Sequence, residues 1–197
     1  EMKSVNLHEG IDNTLLILQN QLKAAPGRCE IEVIKHYGDL PLVECYPGQL
    51  NQVFMNLLSN AIDALEESRR LDLQQAKCNS PIIPVPLPAI AIYTGIEQVR
   101  SVENISQFSP PTPNAAIRIV DNGSGMTESV RRRLFDPFFT TKGVGKGTGL
   151  GLSISYQIIV EKHGGQISCT STPGQGTEFA IKIPLRQQSA LTRFASV

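Results

Sequence analysis

An acidic residue and two glycines follow a short apolar segment near the middle of the sequence. The apolar run 115–120 ends at Asp121, and Gly123 and Gly125 come directly after it. A strand fixes a carboxylate in place, and glycines let the backbone approach a flat ligand, so this arrangement could hold a purine. A tight turn after a strand would explain the same residues, and the motif therefore does not decide the function on its own.

Two asparagines lie four residues apart in a segment with helical periodicity, 47–69, whose apolar residues share one face. Asn56 and Asn60 lie on the opposite face, and their i,i+4 spacing points both amides at one spot. Asparagine is a poor helix former, and a neutral oxygen suits Mg²⁺ that already carries phosphate oxygens. We predict ligand roles for both, with Asn60 on the metal; a solvated polar face is the alternative. Asp63 and Glu67 are interpreted as surface charges.

A glycine-rich stretch leads into a second helical pattern. The residues from Gly147 to Gly151 open the pattern at 150–162. A helix N-terminus offers unpaired N–H groups and partial positive charge, and glycines let phosphate oxygens reach them. Lys142 and Lys146 flank these glycines and favour phosphate contact, and the sequence leaves open which lysine makes it. The spacing matches neither a Walker A loop nor a dinucleotide-binding fingerprint, and a flexible linker is the alternative.

These motifs must be positioned by a chain in which helices and strands do not strictly alternate. Periodicity predicts a first helix over 8–24, with Asn6 as its N-cap. Strands are predicted at 30–34, 42–45, 89–93 (an edge strand), 115–120, 166–170 and 177–183, with a short helix at 127–134 and a loop at 135–149. This order predicts an α+β fold, a two-layer sandwich in which helices cover one face of a mixed sheet.

The segment 71–113 differs in composition from the rest of the chain. It contains closely spaced prolines and lacks periodicity. We predict a long surface insertion that ligand binding does not require, because long surface loops cost little closure entropy. The chain is then divided into a lead-in helix at 1–25, one domain at 26–186 that contains the insertion, and a tail at 187–197.

The composition argues against several classes of protein. Lys and Arg number 18, as do Asp and Glu, so the charge balance does not support a nucleic-acid partner. The four cysteines lack zinc and Cys-x-x-Cys spacing, which predicts free thiols in a reducing compartment. No apolar run approaches the ~18 residues of a membrane span. Because the chain opens on Glu1 in helical sequence, we expect a fragment of a longer protein. We expect this fragment to be monomeric and cytoplasmic, either free or as the cytoplasmic part of a membrane-bound protein.

Together the motifs resemble the GHKL (Bergerat) ATP-binding fold, and more closely the catalytic ATP-binding domain of sensor histidine kinases of cyanobacterial type. Five segments carry the resemblance in family order: 52–61 resembles the N box, 121–125 the first glycine box, 135–142 the F box, 147–152 the second glycine box, and 176–179 the closing glycine–threonine segment. The resemblance spans roughly 6–185 and is interrupted by the predicted insertion.

The resemblance implies a role for individual residues. Asp121 would accept the adenine amino proton, with Thr177 beside it through water, and Asn60 would hold Mg²⁺ against the triphosphate. Asn56 and Asn60 are the expected catalytic residues. The residues expected to bind ATP are Asn56, Asn60, Asp121, Gly123, Gly125, Met126, Thr141, Lys142, Lys146, Gly147, Thr148, Gly149, Leu150, Gly151, Leu152 and Thr177.

The resemblance also implies a flexible ATP lid at 139–149. Phe135 and Phe138 would anchor this lid or dock a partner domain, and plain core packing is the alternative. Members of the fold that hydrolyse ATP carry Glu where this chain has Asn56. An amide cannot accept a proton from water at neutral pH, so the chain is expected to hold ATP without hydrolysing it.

The phosphoacceptor histidine of such kinases is not expected in this chain, because His8, His36 and His163 lie in contexts typical of structural or surface residues. The resemblance implies transfer of the γ-phosphoryl group to a histidine on an absent dimerisation domain, and signalling to a response regulator receiver domain. Three alternatives stay open: an ATP-gated conformational switch, a serine kinase of the anti-sigma type, and a nucleotide sensor without transfer activity.

Overall fold

A five-stranded sheet with helices on one face forms the centre of the computed structural model, which describes residues 1–76, 86–99, 112–143 and 147–187. The strands are β1 (Lys3–Val5), β2 (Glu32–Tyr37), β3 (Val43–Cys45), β4 (Ala89–Val99), β5 (Thr112–Asp121), β6 (Gln166–Thr172) and β7 (Gly176–Pro184). The helices are α1 (Leu7–Leu22), α2 (Pro47–Ala76), α3 (Glu128–Arg131) and α4 (Gly151–Tyr156). A π-helix, Gln157–Lys162, continues α4 and is called the π segment below.

The large sheet is mixed, with the strand order β2-β4-β5-β7-β6. β2 runs parallel to β4, and the other neighbouring pairs are antiparallel. β1 and β3 form a separate antiparallel pair, which is joined to the end of β7 by a hydrogen bond from Glu44 N to Leu185 O at 3.0 Å. The predicted α+β sandwich with a mixed sheet is confirmed.

Alternating apolar residues give the sheet its buried face. Ile117 and Ile119 on β5 and Ile181 and Ile183 on β7 are almost fully buried, and the residues between them are more exposed. α2 faces them with Leu50, Val53, Phe54, Leu57, Leu58, Ala61, Ile62 and Leu65. Each fully buried Leu or Ile contributes roughly 1.5–3 kcal/mol, so this layer holds α2 firmly against the sheet.

The first helix agrees with its prediction. α1 buries Ile11, Leu15 and Leu18, the residues spaced three and four apart. The Asn6 side chain accepts a hydrogen bond from the His8 N–H at 3.0 Å and so caps the first turn, as predicted. α1 therefore lies beside α2 in the helical layer, and its His8 and Asp12 side chains contact β4 and β2.

The region around 71–113 corrects two predictions. α2 continues to Ala76 rather than ending near residue 69. The predicted strand at 89–93 is present, but its edge position and its end at residue 93 are wrong, because β4 runs to Val99 and lies between β2 and β5. Ile90 and Ile92 are fully buried, and this burial outweighs the proline-rich composition nearby. Residues 77–85 and 100–111 of the predicted insertion, and 188–197 of the predicted tail, lie outside the described residues.

Two features concern the surroundings of the domain. Cys45 and Cys169 are buried and Cys29 is half-buried, and all three are free thiols; Cys78 lies outside the described residues. Among the helices that the structure describes, none is both long enough and apolar enough to cross a membrane.

Candidate nucleotide-binding site

A cavity of about 1300 Å³ lies between α2, the end of β5, the loop before α4 and the first turn of α4. It brings together residues that are far apart in the sequence. The predicted ligand-binding residues that line it are Asn56, Asn60, Asp121, Gly125, Met126, Thr141, Lys142, Gly147, Thr148, Gly149, Gly151, Leu152 and Thr177.

Three other predicted residues are placed differently. Gly123 lies behind Asp121, and its N–H donates to Asp121 Oδ1 at 2.9 Å. Leu150 precedes α4, and its carbonyl oxygen accepts from Ile154 N at 2.9 Å. Lys146 lies outside the described residues. Gly123 and Leu150 thus support the lining of the cavity rather than form it.

The carboxylate of Asp121 marks one end of the cavity. Asp121 is the last residue of β5 and is 5% exposed. Burial raises the pKa of this carboxyl to about 6, against the lowering effect of the backbone amides of Gly123 and Thr177. Gly176, with φ of 89°, lies against the Asp121 carbonyl, where a Cβ would clash. At neutral pH Asp121 is therefore an ionised, buried acceptor that can receive an N–H from a bound base.

A hydroxyl network fixes the backbone beside Asp121, and the sequence analysis did not include it. Ser171 Oγ accepts from Met126 N at 2.8 Å and donates to Gly176 O at 2.9 Å. It also lies 2.9 Å from Thr177 Oγ1. Ser171 and Thr177 are cross-strand partners of β6 and β7. Pairing of the two strands predicted at 166–170 and 177–183 is the signal that could have brought them together.

A lysine ammonium occupies the middle of the cavity wall. Lys142 Nζ donates to Asn60 Oδ1 at 3.1 Å and forms an ion pair with Asp63. Asp63, which the sequence analysis left as a surface charge, is therefore part of the cavity, three residues along α2 from Asn60. A cation held by an amide oxygen and a carboxylate shows that this wall favours positive charge.

Asn56 connects α2 to α4. Its Nδ2 donates to Gly151 O at 2.9 Å and to Ser155 Oγ at 3.2 Å. The two helices are thereby joined by a side chain that also lines the cavity. Both predicted asparagines thus lie on one wall, but the nitrogen of Asn56 is already engaged in holding α4.

The loop before α4 has an unusual backbone. Gly149 has φ of 66°, and a Cβ there would clash with the Phe138 backbone. Phe138 itself has φ of 65° and is 75% exposed. Phe135 packs on the core, and its ring lies 5.6 Å from that of Tyr156. Core packing is therefore the role of Phe135 and not of Phe138.

The histidines lie away from the cavity lining. His8 Nε2 is 2.8 Å from Thr94 Oγ1 and its ring stacks on Tyr37, while His36 is exposed and stacks on Tyr93. His163 is fully buried. These positions agree with structural or surface roles.

His163 joins the π segment to the start of α2. Its Nδ1 lies 2.7 Å from Ile158 O, and its Nε2 accepts from Tyr46 N at 3.0 Å. Burial lowers the pKa of His163, which matches a neutral ring that donates through one nitrogen and accepts through the other.

A buried carboxylate at one end of a cavity and a glycine-rich helix start at the other are typical of a nucleotide-binding domain. The family described as histidine kinase-, DNA gyrase B- and HSP90-like ATPases matches residues 45–187. The chain belongs to this family, and ATP binding follows from that membership.

Curated relatives are kinases of bacterial signalling. The chain is 32% identical over 177 residues to sporulation kinase E of Bacillus subtilis (strain 168). The match covers 90% of this chain and 19% of that protein. It is 38% identical over 151 residues to the sensor kinase CckA of Brucella abortus (strain 2308), covering 77% of the chain and 14% of that protein. The chain therefore spans less than a fifth of each of these two relatives.

Solved structures support the same fold. The nucleotide-free catalytic domain of the histidine kinase ThkA is 26% identical, with a TM-score of 0.65, and the match covers 94% of this chain and 99% of that one. The prediction of a histidine kinase catalytic domain with the GHKL fold is thus confirmed, while the cyanobacterial type stays a prediction.

Proposed function

We propose that this domain binds Mg-ATP and delivers the γ-phosphoryl group to a histidine on a dimerisation domain of the same full-length protein. The observation that carries the proposal is the engagement of Asn56. Its amide nitrogen donates to α4, and an amide is no base, so this position cannot activate water. A domain that holds ATP unhydrolysed suits transfer to another nucleophile, and the names of the relatives support a kinase.

The donor set fits Mg²⁺. The oxygen of Asn60 accepts a hydrogen bond from a cation, the Lys142 ammonium. The Asp63 carboxylate forms an ion pair with the same ammonium. Hard oxygen donors of this kind suit Mg²⁺ when phosphate oxygens and waters complete the octahedron. We therefore assign Asn60 to the metal, with Lys142 released from it when Mg-ATP binds. When bound, Mg²⁺ neutralises charge on the phosphate oxygens.

The residues of this chain would position the nucleotide more than react with it. Asp121 accepts the adenine amino proton, and the N–H groups around Gly149 and Gly151 face the phosphates. Lys142, once free of Asn60, can pair with a phosphate oxygen. The nitrogen of the incoming imidazole forms the new N–P bond while the bond to the β,γ-bridging oxygen breaks, and ADP leaves.

The partners follow from this reaction. The acceptor histidine lies on the dimerisation domain, and a response regulator receiver domain takes the phosphoryl group afterwards. The exposed ring of Phe138, at the base of the loop, is the surface that we assign to docking of the acceptor helix. We place the domain in the cytoplasm, where ATP is available.

The test is phosphorylation in trans. The domain is mixed with labelled ATP, Mg²⁺ and the separately expressed dimerisation hairpin, the helical domain that is proposed to carry the acceptor histidine in the full-length protein. We expect label on the hairpin, with the acid-labile and base-stable character of a phosphohistidine, and almost no free phosphate. The matched control is Asn60→Ala, which should abolish transfer without unfolding the domain.

Two results would contradict the proposal. Label on the domain itself would place the acceptor in this chain, and steady phosphate release would indicate an ATPase of the kind that drives a conformational switch. Either result is read beside nucleotide binding, measured by calorimetry, so that loss of ATP binding is distinguished from loss of transfer.

A further inference from the structure

Two buried serines lie one turn into the helix that follows the glycine-rich loop. Ser153 Oγ donates to Leu150 O at 2.9 Å. Ser155 Oγ donates to Gly151 O at 2.8 Å and is fully buried. Both hydroxyls thus donate to a backbone carbonyl of the same turn, but only Ser155 also contacts the asparagine on α2, at 3.2 Å.

The contacts determine which way the amide of Asn56 points. A backbone carbonyl can only accept, so the Asn56 atom 2.9 Å from Gly151 O must be the amide nitrogen. The hydrogen of Ser155 is donated to the same carbonyl, so towards Asn56 this hydroxyl acts as an acceptor. Both amide hydrogens of Asn56 are then engaged, and its oxygen is the polar atom that remains for the cavity.

We propose that Ser155 is a positioning residue for the metal-bound nucleotide. By accepting the second amide hydrogen, it holds the oxygen of Asn56 towards the metal and phosphates that Asn60 also faces. The Gly151 carbonyl alone excludes a flipped amide, because two acceptors would then be in contact. Ser155 is the second fixed point, which limits the remaining rotation of the amide and so sets the direction of its oxygen. This proposal rests on the proposed function, because the oriented oxygen matters only when Mg-ATP binds.

The effect of Mg²⁺ on nucleotide affinity distinguishes a positioning role of Ser155 from a packing role. If Ser155 only filled space, its removal would weaken every nucleotide complex or none. If Ser155 orients Asn56, its removal should weaken binding only in the nucleotide complexes that contain Mg²⁺. Ser153→Ala is the matched control, since it removes an equally placed buried hydroxyl from the same turn without touching Asn56.

The experiment compares the wild type, Ser155→Ala and Ser153→Ala by calorimetry. Each protein is titrated with a non-hydrolysable ATP analogue twice, once in the presence of Mg²⁺ and once in the presence of EDTA. For Ser155→Ala we expect the Kd of the Mg²⁺ complex to rise about tenfold, the effect of one lost buried hydrogen bond. The Kd of the metal-free analogue should change less than about twofold, and Ser153→Ala should change neither Kd beyond that range.

A second variant keeps the test informative if Ser155→Ala folds poorly. Ser155→Cys fills the same space, and its sulfur is a weaker acceptor, so we expect an intermediate rise in the Kd of the Mg²⁺ complex alone. Equal behaviour of the Ser155 and Ser153 variants would overturn the proposal, as would equal loss with and without Mg²⁺. A wild type that binds the analogue no better with Mg²⁺ would instead refute the metal assignment of the proposed function.

Discussion

At the scale of single residues, what the site can bind depends on which polar atoms already form hydrogen bonds or ion pairs within the protein. The oxygen of Asn60 holds Lys142, the nitrogen of Asn56 holds α4, and the carboxylate of Asp121 is buried with backbone amides beside it. Each of these side chains therefore presents one defined atom or charge to the cavity. Substitutions that keep size but change that atom are the informative ones.

The base specificity should depend on Asp121. In Asp121→Asn the amide can turn its NH₂ towards the base, so it no longer has to accept from the adenine amino group. We expect ATP to bind roughly 5- to 150-fold more weakly, the cost of a mismatched buried hydrogen bond of about 1–3 kcal/mol. GTP presents a carbonyl at this point and should lose little. Calorimetric titration of both nucleotides measures the difference, and an equal loss for ATP and GTP would refute the adenine assignment.

The ion pair of Lys142 with Asp63 should compete with Mg-ATP. Both side chains are partly exposed, and such pairs contribute about 0.2–1 kcal/mol. Asp63→Asn should therefore tighten binding of a Mg-ATP analogue by about 1.5- to 5-fold, because Lys142 leaves Asn60 more readily. The control is Glu97→Gln, which breaks an ion pair of similar exposure, with Lys182, away from the cavity lining. Weaker binding by Asp63→Asn would instead make this carboxylate a metal ligand.

At the scale of elements, three separate segments converge on one cavity: α2, the β5 end and the start of α4. The boundaries of α1, β3 and the β6–β7 hairpin could be predicted closely from alternation, capping and turn residues. The central position of β4 could not be predicted, because its apolar residues stand between proline-rich segments. Whether such a strand lies at the edge or in the middle of the sheet depends on the strands that pair with it. Only the pairing with β5 on one side and β2 on the other makes Ile90 and Ile92 core residues.

The site shows the same division between local and tertiary information. Asn60, Asp121 and the glycines were predicted from local patterns that resemble known boxes. Asp63 and Ser155 were not assigned roles, because their partners, Lys142 and Asn56, lie 79 and 99 residues away in the sequence. Such pairs become visible only when the tertiary structure brings the elements together.

The pairing of β4 with β5 determines which part of the predicted insertion can be removed. Val99 and Thr112 are cross-strand partners, so a two-residue Asn-Gly turn can replace residues 100–111. We expect this variant to keep its cooperative thermal unfolding and its affinity for ATP. Removing 95–116 should instead unfold the domain, since it deletes the paired ends of both strands and the buried Ala115. Circular dichroism melts and calorimetry test both variants, and loss of ATP binding in the shorter deletion would make the insertion part of the site.

At the scale of the whole molecule, two buried titratable groups act on stability in opposite directions. Burial raises the pKa of Asp121 to about 6, so the folded state favours its protonated form. Burial lowers the pKa of His163, so the folded state favours its neutral form. The contribution of Asp121 is present below its unfolded pKa, near 4, and is lost as the pH rises through about 6. That of His163 is lost as the pH falls below its unfolded value, near 6.5.

Asp121→Asn isolates the effect of Asp121 on the pH dependence of stability, because the wild type and the variant both keep His163. Relative to the wild type, the nucleotide-free variant should gain stability as the pH rises from 4 to 7. The gain is on the order of 2–3 kcal/mol, from the difference between the folded and unfolded pKa values. Urea unfolding at several pH values, without nucleotide, measures it. A difference in the free energy of unfolding that stays constant between pH 4 and 7 would show that Asp121 is not buried as a carboxylate.

The π segment makes the length of the chain before His163 critical. A π-turn accommodates one residue more than an α-turn, and His163 meets Tyr46 only at the end of that wide turn. Inserting one residue between 157 and 162 would add to the extra residue that the π-turn already accommodates, so everything after it would rotate by about 100°. His163 would leave Tyr46, and β6 would then have to slip by one position, which moves its side chains to the opposite face. Insertions in this segment should be far less tolerated than substitutions, although none of its residues lines the cavity.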